Sequence, residues 1–181
     1  NLGMMYGMGV NKLSDQLDIE VSEAKALVKQ YHDRVPFVKG LMNGVQNRLN
    51  DKSSAGSIRS ILGRKCRFDL WEPDTFAMNK ALPYRDAVKE YGDTTRLKRA
   101  YTYKALNRLI QASAADMTKQ AMVNIYRAGK LPMVQIHDEV AMSVKDMDEA
   151  REVAHIMENA VPLEVPNKCD IEIGPSWGEA K

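Results

Sequence analysis

The sequence predicts an α+β fold, with helices around a few mainly antiparallel strands. Three observations carry that expectation. Residues 22–49 and 95–128 space their apolar side chains three and four apart, the period of an amphipathic helix. Shorter stretches such as "IRSILGRKCRF", "MVQIHDEVAMSV" and "NKCDIEIGPSW" read as strands or hairpins, with apolar residues at intervals of two. A chain of 181 residues, 44% of them hydrophobic, can also bury one sizeable core or two small ones.

Charged residues make up 28% of the chain, near the ordinary average, and the net charge of +2 says little about partners. Its distribution says more. Arg59, Arg64, Lys65 and Arg67 form one basic cluster, and Arg96, Lys98, Arg99, Lys104 and Arg108 another. Clustered cations in a nearly neutral chain point to a local anionic partner, with solvated surface charge as the alternative. Cys66 and Cys169 lie far apart without metal-ligand spacing, so neither a disulfide framework nor a zinc site is expected. No run of about 18 apolar residues is present, which argues against a helical membrane span. Nor is there a secretory signal pattern, so the expected compartment is a reducing cytoplasm. The chain starts at Asn1, and "NLGMMYGMG" reads as the inside of an element, so a processed, split or truncated chain is expected.

In order along the chain, Ser22 is the expected N-cap of a first helix, whose face carries Ala24, Leu27, Val28 and Tyr31. Pro36 limits it. A second helical pattern follows, with Phe37, Val38, Leu41, Met42, Val45 and Leu49, and then the loop "NDKSSAGS". "IRSILGRKCRF" predicts a hairpin turning near Gly63. Residues 72–93 are mostly polar with poor periodicity, and are read as an irregular excursion. A long helix is expected from about Thr95 to Ala128, ending near Gly129. Its small-residue run "ASAAD" lets either another helix or a ligand approach the backbone. A last helix is expected near Asp146, which has capping-box spacing to Glu149, with Ala150, Val153, Ala154 and Met157 on its buried face. Cys169, Ile171 and Ile173 alternate with Asp170 and Glu172, predicting a half-buried strand.

One residue conflicts with its surroundings. As a single strand, "MVQIHDEVAMSV" puts Asp138 in a row with Val134, Ile136, Val140, Met142 and Val144. An ionised carboxylate in a buried row needs a counter-charge, a metal or a break in the strand. A bend at His137, Asp138 and Glu139 resolves the conflict and projects an acidic pair from a rigid tip. Adjacent carboxylates of this kind suit Mg²⁺, which binds hard oxygen ligands. An ordinary acidic surface turn is the alternative.

Together, "QIHDEV", the preceding "LIQASAADMTKQAM" and the following "VPNKCDIEIGPSW" resemble the C-terminal part of family A DNA polymerases, the bacterial DNA polymerase I type. "NLGMMYGMG" is similar to the end of that family's fingers-helix motif, Lys-x3-(Phe/Tyr)-Gly-x2-Tyr-Gly. The motifs occur in the family's order and cover most of the chain, residues 72–103 resembling an insertion; a phage-type branch is the guess. The resemblance implies a small, mainly antiparallel palm sheet and a helical fingers subdomain. It assigns residues 1–57 to fingers helices, 58–103 to a hairpin and irregular insertion, and 104–181 to the palm.

The resemblance also implies roles. Asp138 becomes a catalytic Mg²⁺ ligand and Glu139 a supporting carboxylate. His137 becomes a minor-groove contact to the primer end, with an ordinary strand histidine as the alternative. Asn107 and Gln111, four apart on one helix face, become duplex contacts near the primer terminus. The minor groove barely distinguishes sequences, so amide donors there can check pair geometry while accepting any correct pair. Without the resemblance the two amides are a solvent-exposed face. Arg64 becomes a DNA contact. Tyr6 becomes the tyrosine beside the nascent pair, and Leu2 the position near the incoming sugar. An aromatic usually stands where Leu2 does, which implies altered sugar discrimination. The ratio of dideoxy to ordinary nucleotide use should therefore change in Leu2→Phe, and an unchanged ratio removes the idea.

The implied function is the C-terminal portion of a DNA-directed DNA polymerase, working with primer-template DNA and dNTPs. Its partner is an N-terminal part that carries the second catalytic aspartate. The alternative is a non-catalytic duplex-binding module that retains the polymerase shape. A Mg²⁺-dependent nuclease is disfavoured, because no further acidic cluster with suitable spacing stands out. An unrelated scaffold requires the ordered motifs to be coincidence.

Overall fold

A computed structural model describes residues 2–5, 8–51, 55–75, 77 and 79–180. The chain divides into two compact units, Asn1–Ile110 and Gln111–Lys181. The first begins with four helices: α1 (Leu2–Met5), α2 (Val10–Leu17), α3 (Val21–Arg34) and α4 (Pro36–Asn50). Helices α2 and α3 pack together, as do α3 and α4. Pro36 sits at the first turn of α4, where its missing N–H costs nothing, so one residue ends α3 and starts the next helix. The cap of α3 is Glu20 rather than the expected Ser22, and no side chain caps it. On α3 the expected face holds, with Ala24 fully buried. On α4 it narrows: Val38, Val45 and Leu49 are buried, whereas Phe37 and Leu41 are exposed. Their spacing fitted a helix, but they fall outside the stripe the unit covers.

Strands β1 (Ser57–Arg59) and β2 (Lys65–Arg67) form the expected antiparallel hairpin. Its turn contains Gly63 at φ +83°, a conformation that favours glycine. Ile58 and Phe68 join Val45, Leu49 and Ala105 in the core cluster, with Cys66 and Leu109 packed against it.

Part of the segment expected to be irregular falls into regular elements. Strands β3 (Leu70–Pro73), β4 (Leu82–Pro83) and β5 (Leu97–Arg99) form an antiparallel sheet in the order β4-β3-β5, and α5 (Tyr84–Tyr91) packs on β3 and β4. Arg99 holds this sheet to its surroundings. Its guanidinium lies 4.5 Å from the Trp71 ring and donates to the Phe68 carbonyl at 2.9 Å. Gly56, at φ +62°, leaves room for it, since a Cβ there would stand 2.2 Å from the guanidinium carbon.

The expected helix from Thr95 starts ten residues late. Pairing with β3 takes residues 97–99 into a strand, and Tyr101 at φ +60° turns the chain into a 3-10 turn, Thr102–Lys104. Helix α6 then runs Ala105–Arg127, about 35 Å rather than the expected 50 Å at 1.5 Å per residue. The unit boundary falls inside it. Gly129, at φ +78°, stops it where expected, with the Lys130 N–H donating to the Ile125 carbonyl at 3.1 Å, a Schellman-type closure.

The second unit adds strands β6 (Val134–Ile136) and β7 (Glu139–Ala141) and helix α7 (Met147–Glu158). Asp146 caps α7 by accepting from the Glu149 N–H at 2.9 Å. Glu149 returns the bond one residue early, accepting from the Lys145 N–H at 2.8 Å. The closing strand does not form. Asn167, Cys169 and Ile171 are half-buried and alternate with exposed neighbours, but this segment pairs with no strand among the described residues. Instead the Cys169 N–H donates to the Glu158 carboxylate at 3.1 Å. Among the described residues all three small sheets are antiparallel.

Candidate nucleic-acid interface and metal-binding turn

Strands β6 and β7 pair with Ile136 opposite Glu139, so His137 and Asp138 alone make the turn. Glu139, expected in the bend, is the first residue of β7. His137 has φ +54° and Asp138 does not have a positive φ, the sign pattern of a II′ hairpin turn. That position favours glycine; a histidine there carries strain, which clusters at functional turns. The Gln135 side chain braces it by donating to the His137 carbonyl.

This turn dissolves the conflict posed by the sequence, though not as expected. Residues directly opposite in an antiparallel pair share a face. Val134, Ile136, Glu139 and Ala141 therefore share one face, and Gln135 and Val140 the other. The six-residue row predicted for one strand is split in two at Asp138. Val134 and Ile136 stay exposed rather than packing, while Val140 and Met142 are half-buried.

His137, Asp138 and Glu139 are all exposed. Asp138 forms no ion pair or hydrogen bond with the other described residues. Glu139 accepts from the Trp177 indole N–H at 3.4 Å, a contact no sequence pattern announced. Trp177 opens a 3-10 turn in which the Ser176 hydroxyl donates to Glu179 at 2.6 Å. Gly174 approaches this turn so closely that a Cβ would lie 2.6 Å from the Glu179 carbonyl oxygen. Two concavities of this unit, one beside Lys130 and one beside His155, include none of the three hairpin residues.

Beside the hairpin unit's helices, Lys130 binds Glu149 at 3.0 Å and Glu152 at 2.9 Å. The Glu152 bond, and then that to Glu149, push the Lys130 ammonium above its ordinary range. The Lys145 N–H, followed by Lys130, holds the Glu149 carboxyl below its own. These groups brace the start of α7 and lie outside the acidic turn.

Of the other predicted residues, Gln111 is exposed on α6 in the second unit. Asn107, on α6 in the first unit, has a buried Oδ1 without a hydrogen-bond partner, an orphan acceptor. Arg64 is exposed beside β2. Tyr6 and the side chain of Leu2 lie outside the described residues. Among the described residues no three His, Cys, Asp or Glu side chains gather at one point that could hold a metal.

Residues 1–179 match the model of DNA polymerase family A. The chain belongs to that family. This family A chain is 40% identical over 158 residues to a DNA-directed DNA polymerase of Pseudomonas phage M6, covering 87% of the chain and 20% of the phage protein. It is 30% identical over 189 residues to the thermostable DNA polymerase I of Thermus filiformis, covering all of the chain and 20% of that protein. Among solved structures it resembles the POL domain of Pol1 from M. smegmatis, in complex with DNA primer-template and dNTP. There the TM-score is 0.66 at 31% identity, over 91% of this chain and 27% of that one. The chain thus spans about a fifth of the length of these curated relatives. No helix among the described residues is long and apolar enough to cross a membrane.

Proposed function

We propose that this chain is the C-terminal portion of a DNA-directed DNA polymerase and contributes Asp138 to template-dependent nucleotidyl transfer. The carrying observation is an exposed carboxylate without an ionic partner among the described residues, held at a two-residue turn of a family A chain. Hard oxygens at such a turn fit Mg²⁺, with Asp138 as the principal ligand and Glu139 as support. When bound, Mg²⁺ supplies activation of the primer 3′-hydroxyl and charge stabilisation at the leaving pyrophosphate.

The protein's own side chains do the rest. Trp177 steadies Glu139 through its indole N–H. His137 contacts the primer end from the minor groove, and Gln111 and Asn107 contact the duplex with amides. Arg64 contacts DNA, and Leu2 and Tyr6 bind the incoming dNTP. In this reading residues 1–57 belong to the fingers, 58–103 are a hairpin followed by an insertion, and 104–181 belong to the palm. The setting is the cytoplasm, that of the host for a phage-encoded enzyme.

A two-metal site needs more carboxylates than Asp138 and Glu139, and no third ligand joins them among the described residues. The reading therefore includes an N-terminal part of the polymerase, covalent or separate, that supplies the remainder. The same observation favours a second reading, a duplex-binding module without catalysis. Primer extension in Mg²⁺ separates the two. Residues 1–181 alone should give no extension, and adding the N-terminal part should restore it. Extension by the chain alone contradicts the divided site, and a restored complex that binds duplex without extending it supports the second reading.

A further inference from the structure

Both ends of the β6–β7 hairpin segment meet at one carboxylate. Glu149 stands in the first turn of α7, where its backbone N–H donates to the Asp146 side chain at 2.9 Å. Its Oε1 accepts from the Lys130 ammonium at 3.0 Å, upstream of β6. Its Oε2 accepts from the Lys145 N–H at 2.8 Å, downstream of β7. The two oxygens of one side chain thus draw residues 131–144 closed at their base. The Lys130 and Glu149 side chains are only 13% and 21% exposed, which shelters them from the screening that weakens surface ion pairs.

A helix cap needs less than this. In a capping box the returning carboxylate satisfies one N–H at the start of its own helix. Here the second oxygen reaches a cation that follows a different helix, and the Lys130 N–H is itself tied to the Ile125 carbonyl of α6 at 3.1 Å. The closure is therefore grounded in α6 on one side and in α7 on the other. Every residue from Met133 to Glu139 is exposed, so packing within the unit does little to fix the turn. At the base the Met133 N–H donates to the Ala141 carbonyl at 3.0 Å, which carries the position of the closure into the ladder. Glu152 binds the same ammonium at 2.9 Å, but it is 59% exposed and makes no bond to the β7 end among the described residues.

We propose that Lys130 and Glu149 form a positioning clasp that fixes both ends of the β6–β7 hairpin and so holds Asp138 in place for nucleotidyl transfer. This rests on the polymerase reading. Neither residue touches substrate or metal; each acts through the hairpin. A catalytic constellation tolerates only about 0.5 Å of misplacement, and Asp138 stands at the far end of the ladder from the clasp. A small shift at the base therefore reaches the tip as lost alignment.

The test joins amide hydrogen exchange in the full chain to primer extension by the polymerase containing it. Lys130→Met removes the cation and leaves Glu149 its bond to Lys145, so the cap of α7 survives. Exchange at the Met133 N–H and the Trp177 indole N–H should quicken about tenfold, while the Asn159 N–H at the end of α7 keeps its wild-type rate. In extension kcat should fall about tenfold to a hundredfold, with KM for dNTP and duplex affinity unchanged. Lys130→Arg should restore both, and Glu152→Gln should disturb neither. Wild-type exchange at Met133 in Lys130→Met overturns the clasp. Faster exchange with wild-type kcat overturns its role in the reaction. Equal losses in Glu152→Gln, or quicker exchange at Asn159 as well, would mark the ion pair as merely stabilising and overturn the proposal too. Asp138→Asn, measured in parallel, tests the catalytic reading by itself: wild-type extension there removes that reading, whereas the exchange rates judge the clasp without reference to catalysis.

Discussion

Asp138→Asn should lower primer extension by the polymerase containing this chain at least about a thousandfold, or ~4 kcal/mol of activation free energy. The substitution removes the charge and keeps the shape. Asp138 is exposed, lacks a positive φ and bonds to no other described residue, so the fold loses nothing by the change. Duplex affinity and unfolding midpoint should therefore stay at wild-type values while extension collapses. Glu139→Gln should cost much less, since a glutamine can still accept from the Trp177 indole and Glu139 only supports the metal. Extension by Asp138→Asn within tenfold of wild type would remove Asp138 from the reaction.

How much of this site could be read from the sequence follows from which interactions are local. That Asp138 must leave a buried row was legible, because a carboxylate among apolar residues is costly wherever it sits. That the break takes only two residues was not, because turn length depends on which residues pair across the hairpin. Expecting Glu139 in the bend kept Val134 and Val140 in one row, whereas the observed register puts them on opposite faces. A slip of one residue in register flips every side chain, and no periodicity within one arm reports it. The bond from Trp177 to Glu139 spans 38 residues and lies outside any local pattern.

The helices show the same division. Most caps and stops that depend on neighbours in sequence were legible, Asp146 with Glu149, Pro36 and Gly129, though Ser22 did not cap its helix. Boundaries decided by a distant partner were not. Residues 97–99 fit a helical pattern but are captured by β3, and the closing alternation around Cys169 and Ile171 finds no strand to pair with among the described residues. Residues 72–93 looked irregular because their strands are two to four residues long, too short for a period to show.

Leu49→Ala should destabilise the first unit by about 3 kcal/mol, within the ~2–5 kcal/mol of buried leucine truncations. Leu49 is fully buried and sits in the cluster with Val45, Ile58, Phe68 and Ala105. Its loss leaves a cavity that the two helices and the hairpin cannot all close, because each is held by other contacts to the same cluster. Leu41→Ala, on the same helix but 46% exposed, should change stability by no more than about 0.5 kcal/mol. Urea unfolding of both variants separates the face α4 buries from the wider face its spacing allowed. Ile58 anchors the β1–β2 hairpin to this cluster. Equal unfolding free energies for Leu49→Ala and the wild type would mean that this cluster does not hold the first unit together.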